Sequence, residues 1–304
     1  MTKRYPQSVL ASCEIPWDDN YELIESTFRQ EIRHTIESGF NNLYIFGTAG
    51  EGYAVTLNQF EEIISIFWDE TNKDAVHPMV GVIGMSTEQV VEKVALAYDK
   101  GFRVFQISLP PWGELNDREY LTYFIDVCGS FPEASFLHYN LPRPKRVLVT
   151  EDYKRLQDEV PNLVATKYTS ASLSECASLV NETDLQHFFG DNNFPSGCLF
   201  GECSLLSSYG PLIPKRTLEY FQYGRDQDIE KLFKMQAKIT SVMADFLGPV
   251  INLSLIDGAY DKMIVRAGGV DMPLRLLSPY QGIELDTFNK CLENLIQKHG
   301  DWIQ

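Results

Sequence analysis

The sequence has 304 residues, of which 44% are hydrophobic and 22% charged, a balance typical of a soluble globular protein. Its 26 Lys and Arg against 42 Asp and Glu give a formal net charge of −16, and a field of that sign repels phosphate backbones and anionic membrane surfaces. Nucleic acid and membranes are therefore not expected partners. We expect a cytoplasmic protein, because residues 5–8 are too polar for a signal peptide and no run is long enough to cross a bilayer.

Short apolar runs alternate with amphipathic stretches through the first 224 residues. The runs of strand length lie at 8–13, 42–47, 79–84, 103–108, 135–139, 163–167, 186–190 and 204–208. Helical stripes fill the intervals, as at 21–38 and 87–100, and Thr56, Ser86 and Ser172 stand where capping residues begin helices. This strict alternation predicts an α/β fold, a (β/α)8 TIM barrel of parallel strands. No G-x-G-x-x-G follows the first strand, which disfavours an open dinucleotide-binding sheet.

Beyond residue 224 the pattern is helical only, and Gly248-Pro249 is expected to end the first of three helices. These stretches lie at about 226–247, 250–267 and 284–298. We therefore assign 1–224 to the barrel, which would carry the active site, and 225–304 to a C-terminal helical extension packed on it. A structural role is expected for the extension.

The six cysteines are scattered, without the spacing of a disulfide scaffold or a zinc site. Cys198 and Cys203 are near each other, but no second pair completes four ligands. Only His138 and His187 among the five histidines fall in strand runs, at positions not expected to converge. We expect reduced thiols and no metal.

Lys167 ends the apolar run "NLVATK", where an ammonium group has no packing reason to be. Alone, such a lysine usually extends its charge to solvent, and a tyrosine at a strand end such as Tyr139 is usually core. A barrel, however, gathers the carboxyl ends of its strands on one face, which would bring both together with the glycine-rich turn 47–52, Asp191 and Ser208. A lysine in a water-poor place can lose its proton and attack a carbonyl, so this face is the predicted site.

The segments "GTAGEG" at 47–52, "YNLP" at 139–142 and Lys167 resemble the motifs of the dihydrodipicolinate synthase and N-acetylneuraminate lyase family. The similarity extends over 81–111 and 268–279, so it covers nearly the whole chain. The resemblance implies the barrel with a C-terminal helical extension predicted above. It also implies a homodimer or homotetramer.

The resemblance further implies that Lys167 forms a Schiff base with pyruvate or another 2-oxo acid, without any cofactor. Tyr139 would shuttle protons, and Thr48 would orient it or relay its proton. The turn at Gly47 would place the backbone N–H groups of Thr48 and Ala49 against the carboxylate of the 2-oxo acid.

Three positions depart from the synthases of this family. Ala49 stands where they carry a second threonine, Gly113 where they carry a relay tyrosine, and Pro144 where an arginine holds the carboxylate of their aldehyde substrate. Arg143 or Arg146 could substitute for that arginine, but a shifted guanidinium would not keep a bidentate geometry. A lysine-pathway synthase is therefore not the favoured prediction.

We expect a Schiff-base lyase or aldolase that makes or breaks a carbon–carbon bond between a 2-oxo acid and an aldehyde. Asp191 and Ser207 lie in segments that resemble those contacting substrate hydroxyls in the neuraminate lyase branch, so they are predicted to bind the substrate with Arg143. The alternatives are dihydrodipicolinate synthase proper, a barrel that binds a 2-oxo acid without turnover, and a metal-dependent aldolase.

Overall fold

The computed structural model describes residues 2–73, 75–168 and 171–303. Eight parallel strands close into a barrel in chain order, with the last paired to the first. The strands are β1 Val9–Ser12, β2 Asn42–Ile45, β3 His77–Val82, β4 Val104–Ile107, β5 Ser135–Asn140, β6 Leu163–Tyr168, β7 Gln186–Gly190 and β8 Ser204–Ser207. The predicted TIM barrel is confirmed.

A helix follows each strand, and three more form the C-terminal extension. The barrel helices are α1 Glu25–Glu37, α2 Leu57–Thr71, α3 Thr87–Lys100, α4 Asp117–Gly129, α5 Thr150–Glu159, α6 Leu173–Glu182, α7 Phe194–Cys198 and α8 Pro214–Arg225. The extension contains α9 Ile229–Ile251, α10 Asp257–Ala267 and α11 Leu285–Ile303. None of the helices in the described part of the chain combines the length and apolarity needed to span a membrane.

Both faces of the sheet are buried, which explains why the strand runs read as unbroken apolar stretches. Inward side chains such as Tyr44 and Leu137 pack in the barrel interior, whereas outward ones such as Ile45 and Phe136 join the larger core under the helices. The interior is thus filled with side chains.

Side-chain caps fix three helix starts where the sequence predicts them. Thr56 Oγ1 accepts a hydrogen bond from the Gln59 N–H, and Ser86 and Ser172 cap α3 and α6 in the same way. Each cap satisfies one of the backbone donors that a helix start leaves unpaired, so α2, α3 and α6 begin at defined positions on the barrel wall.

The expectation that Gly248-Pro249 ends the first helix of the extension is wrong, because α9 continues through Pro249 to Ile251. A proline inside a helix leaves the carbonyl four residues earlier without its donor. Here that carbonyl, of Asp245, accepts a hydrogen bond of 2.6 Å from the Asn294 side chain of α11. The contact between α9 and α11 therefore compensates for the proline.

Candidate active site

A cavity of about 370 Å³ opens at the carboxyl end of the barrel, around the Lys167 side chain. Its walls come from the ends of five strands and from α10 of the extension. They comprise Tyr44, Ala49, Tyr139, Lys167, Gly190, Asp191, Asn192, Asn193, Leu206, Ser208, Tyr209, Asp257 and Asp261. A larger groove, of about 550 Å³, lies along Tyr21 and residues 273–285, but no lysine, cysteine or histidine lines it.

Lys167 and Tyr139 are direct neighbours across the β5–β6 pair. A bulge creates this pairing: Phe136 pairs with Leu163, but Leu137 pairs with Ala165, so Val164 is an extra residue in β6. Without the bulge Lys167 would face Asn140, whose side chain is on the opposite face of the sheet from Tyr139. The bulge therefore brings the amine to the inner face beside the phenol.

The Lys167 amine lies between two tyrosine rings, with Nζ 4.1 Å from the ring centre of Tyr139 and 5.8 Å from that of Tyr44. Burial lowers the pKa of Lys167, but the oxygens of Tyr139 and Tyr44, with Asp257, raise it more, and the net direction is upward. A proton must therefore leave the Lys167 amine before it can attack a carbonyl.

Thr48 and Tyr139 are joined by a hydrogen bond of 3.2 Å between their hydroxyl oxygens. Arg143 also donates to the Thr48 hydroxyl at 3.3 Å, and its other nitrogen reaches both carboxylate oxygens of Asp257 at 3.3 Å. The structure thus brings together the predicted Thr48, Tyr139 and Arg143 at the rim. Since Arg143 is paired with Asp257, its charge is already compensated.

The turn after β2, beside the cavity, contains backbone donors without backbone partners. Within the described residues, the N–H groups of Thr48 and Ala49 make no backbone hydrogen bond. Phe46, with φ of 61°, turns the chain sharply at the end of the strand. A side chain at Gly47 would collide with the Tyr44 ring, since its Cβ would lie 2.7 Å from Tyr44 Cε2. The turn can therefore form an anion cradle of backbone donors.

Glu51 holds this turn against the extension. Its carboxylate accepts from Lys262 Nζ at 2.6 Å, from Trp17 Nε1 at 2.9 Å and from the Leu277 N–H at 2.6 Å. The side chains of Glu51 and Lys262 are fully buried. A buried carboxylate needs such partners to remain charged, so the turn and α10 are fixed relative to each other.

Asp191 lies in the cavity wall, but Ser207 does not. The Ser207 hydroxyl donates to Asp191 Oδ1 at 2.8 Å, and the Ser208 N–H donates to Oδ2 at 3.0 Å. Ser207 therefore holds Asp191 instead of facing a substrate, and Ser208 takes the place in the wall. Burial raises the pKa of Asp191 to about 6, against the opposing effect of these two donors.

Asp257 and Asp261 are cavity residues that the sequence reasoning missed, because they lie in the extension that was expected to be structural. They are four residues apart on α10 and therefore face the same side. Burial raises the pKa of Asp261 well above its usual range, and Glu14 and Asp257 act in the same direction. The far wall of the cavity is consequently acidic.

The remaining candidates lie away from the cavity. His138 Nδ1 is bonded to the Tyr153 hydroxyl at 2.8 Å, and His187 to the hydroxyls of Thr166 and Thr183 at 2.7 Å each. Burial lowers the pKa of both imidazoles to about 3, so they are neutral structural groups. No group of three or more potential metal ligands occurs in the described ranges.

Arg146 is likewise committed elsewhere, since it is bonded to Leu115 O and forms ion pairs with Asp117 and Asp152. Pro144 is buried, and Gly113 has open space around it. Neither Arg146 nor a residue at 113 supplies a group to this cavity.

An amine, a hydroxyl pair and a backbone anion cradle at the mouth of a (β/α)8 barrel define a site for covalent chemistry on a carbonyl compound. The profile of the dihydrodipicolinate synthetase family matches residues 6–298, and the chain belongs to that family. The protein is accordingly an enzyme of the lyase class, of the type that uses a lysine in place of a metal.

Two curated relatives are N-acetylneuraminate lyases. The chain is 23% identical over 296 residues to N-acetylneuraminate lyase 2 of Escherichia coli O6:H1, covering 96% of this chain and 95% of that protein. It is 25% identical over 240 residues to N-acetylneuraminate lyase of Salmonella newport, covering 78% of this chain and 80% of that protein.

Solved structures share the fold. YagE of E. coli K12, in complex with pyruvate, superposes with a TM-score of 0.84 at 18% identity over 96% of this chain and 98% of that one. CdNal of Clostridium difficile, in complex with mannosamine, superposes with a TM-score of 0.85 at 17% identity over 95% of this chain and 98% of that one.

Proposed function

We propose that the protein is a Schiff-base aldolase or lyase that joins or separates a 2-oxo acid, pyruvate being the simplest, and an uncharged hydroxylated aldehyde. The observation that carries the proposal is the placement of the Lys167 amine directly across from Tyr139, in a cavity whose wall includes Ala49 and lies beside the turn with the free N–H groups of Thr48 and Ala49. The names of the relatives, and the pyruvate and mannosamine bound in the two similar structures, support this substrate class.

Imine formation would begin when Lys167 Nζ loses a proton and attacks the ketone carbon of the 2-oxo acid. The carbinolamine then loses its hydroxyl as water, leaving an iminium that accepts the electron pair released at C3 when a proton departs. The resulting enamine attacks the aldehyde carbon, and hydrolysis of the new imine frees the product. Cleavage follows the same steps in reverse.

Tyr139 would exchange protons with the oxygen of the aldehyde and with the carbinolamine hydroxyl. Its 3.2 Å bond to Thr48 fixes the orientation of the phenol, which an acid or base must have to act in both directions. The carboxylate of the 2-oxo acid would rest on the Thr48 and Ala49 N–H groups, which supply positive dipoles without a cation.

The acidic far wall supports an uncharged aldehyde. An anionic tail would be repelled by Asp191, which is ionised above its pKa of about 6, while the charge of Arg143 is already balanced by Asp257. This charge distribution disfavours dihydrodipicolinate synthase proper, whose aldehyde carries a carboxylate. Carboxyl groups suit a hydroxylated tail, since they accept hydrogen bonds when ionised and donate one when protonated.

Borohydride treatment in the presence of pyruvate tests the proposal. The expected result is a stable mass increase that peptide mapping assigns to Lys167, with no label on the buried Lys262. An enzyme that stays unmodified would reject the Schiff-base chemistry and leave a barrel that only binds. Labelling of Lys167 without a product from any aldehyde tested would likewise favour a protein that binds a 2-oxo acid without turnover.

A screen of aldehydes then defines the partner. We expect sugar aldehydes and glyceraldehyde to give condensation products, and succinic semialdehyde to react poorly. Preferential turnover of the anionic aldehyde would overturn the uncharged-tail assignment. A homodimer or homotetramer remains a prediction, and light scattering of the purified protein measures it.

A further inference from the structure

Tyr44 is a second phenol in the cavity wall, and its hydroxyl has no hydrogen-bond partner within residues 2–73, 75–168 and 171–303. The side chain is only 2% exposed and projects into the barrel interior from β2. The Tyr44 hydroxyl is not among the fully enclosed side-chain oxygens that lack a partner, so it is accessible from the cavity. A ligand in the cavity can therefore supply its hydrogen-bond partner.

The hydroxyl lies beside the backbone cradle. A Cβ placed on Gly47 would be 3.3 Å from the Tyr44 oxygen, so this oxygen is next to the turn that carries the Thr48 and Ala49 N–H groups. The side chain of Ala49 in the same wall is only a methyl group. Tyr44 therefore offers a side-chain donor beside this turn, where Ala49 has no hydroxyl.

A hydroxyl at this place could act as a base or as a permanent donor. Burial raises the pKa of Tyr44, and Tyr139, Glu14 and Asp261 reinforce the shift against the opposing effect of Lys167. Such a phenol keeps its proton and donates it in a hydrogen bond. Carboxylates accept such bonds strongly, whereas a base would need to give the proton up.

We propose that Tyr44 is a carboxylate-binding residue: its hydroxyl donates to the carboxylate of the 2-oxo acid that the Thr48 and Ala49 N–H groups receive. This inference rests on the proposed function. The Tyr44 hydroxyl and the two N–H groups would then be three donors around one carboxylate, and the neighbouring ketone carbon would face Lys167. Tyr44 would thereby fix which end of the substrate meets the amine.

The test is Tyr44→Phe, which keeps the ring and removes only the donor. We expect the pyruvate concentration for half-maximal adduct formation to rise on the order of ten- to a hundredfold, as for a lost hydrogen bond to a charged group. The rate at saturating pyruvate should change less than about threefold, because binding and not chemistry is affected. Tyr5→Phe is the matched control, since Tyr5 packs against the same interior cluster.

Methyl pyruvate distinguishes carboxylate binding from a general structural effect. The ester lacks the negative charge, so Tyr44→Phe and the unmodified enzyme should label with it at similar concentrations. Partial misfolding would weaken both substrates together and leave their ratio unchanged. Ala49→Ser in the Tyr44→Phe background adds a hydroxyl to the same wall and should recover part of the affinity for pyruvate only.

Equal half-saturation of Tyr44→Phe and the unmodified enzyme by pyruvate would overturn this inference, as would equal losses with pyruvate and its ester. Both results leave the Schiff-base proposal intact, because they require labelling of Lys167. Absence of labelling in the unmodified enzyme removes the proposed function itself.

Discussion

Two buried lysines, Lys167 and Lys262, differ in what surrounds their amines. Lys262 is fully buried, and its Nζ is bonded to Glu51 at 2.6 Å and to the carbonyl of Arg275 at 2.5 Å. Burial lowers its pKa, although Glu51 opposes the shift. Lys167 faces an open cavity, between the rings of Tyr139 and Tyr44, and its pKa is raised.

A lowered pKa alone would select the wrong lysine as nucleophile. The amine of Lys262 is bonded to a carboxylate and a carbonyl and has no space for a substrate beside it. It therefore cannot reach a carbonyl carbon, even when it has lost its proton. The amine of Lys167 has space, adjacent hydroxyls and a cradle for an anion. Access and neighbouring proton carriers favour Lys167 as the proposed nucleophile, and Lys262 supports the turn on which that cradle depends.

Replacing Lys167 gives the largest expected effect. Lys167→Met should lose labelling by pyruvate and borohydride completely, and turnover should fall by more than about three orders of magnitude, because the covalent route is gone. Mass spectrometry and product assays measure this, and the thermal midpoint should hold or rise since a buried charge is removed. Residual labelling elsewhere with retained turnover would contradict the assignment.

We expect Lys262→Met to lower the stability of the protein more than it lowers catalysis. Removing one partner of a buried ion pair leaves Glu51 uncompensated, which costs about 3–5 kcal/mol of unfolding free energy. Denaturant titration measures the loss, and Lys298→Met, which breaks a half-exposed pair with Asp245, is the control. The double variant Glu51→Gln with Lys262→Met should recover part of the stability. A loss below about 1 kcal/mol would show that the pair does not hold the turn.

Tyr139→Phe separates proton transfer from imine capture. We expect turnover to fall about a hundredfold or more, the usual contribution of a positioned acid or base, while Lys167 can still be trapped. Steady-state kinetics and labelling are compared in the same preparation. Tyr153→Phe removes a phenol of similar burial on the helix side of the barrel, so its turnover should be near that of the unmodified enzyme. Unchanged turnover in Tyr139→Phe would exclude the phenol from proton transfer.

The smallest effect concerns Asp191 and pH. Its pKa of about 6 means that it gains a negative charge between pH 5 and 7, since a raised pKa keeps it protonated below that range. Binding of succinic semialdehyde should therefore weaken with rising pH relative to glyceraldehyde, by about fivefold for one nearby charge. Asp191→Asn should make the relative binding of succinic semialdehyde nearly independent of pH in this range. If the variant shows the same pH dependence as the unmodified enzyme, the effect belongs to Glu14 or Asp261.

The sequence predicted the barrel and the position of Lys167 well because both follow from local patterns. Unbroken apolar runs, capping residues and a charge at a strand end can all be read within a few positions. The bulge at Val164 could not be predicted, because the extra residue is defined only by the partner strand. The Pro249 error has the same origin, as the bond that compensates for this proline comes from Asn294.

The acidic wall was missed for a different reason. Asp257 and Asp261 lie far along the chain from Lys167, and two carboxylates at helical spacing usually mark a solvated face. The contact between Glu51 and Lys262 helps to hold that face toward the cavity. Tyr44 was read as part of an apolar strand because its ring is indeed packed there, and only its oxygen is unusual.

The fixed orientation of α10 relative to the turn has a consequence for engineering. Lys262 anchors the helix to Glu51, so we expect substitutions at positions 257 and 261 to leave the helix in register with the barrel. The groups proposed to make the imine lie on strands, whereas Asp257 and Asp261 of the opposite wall lie on this one helix. Exchanging Asp261 for a cationic side chain is therefore a route to accept anionic aldehydes without rebuilding the reaction centre.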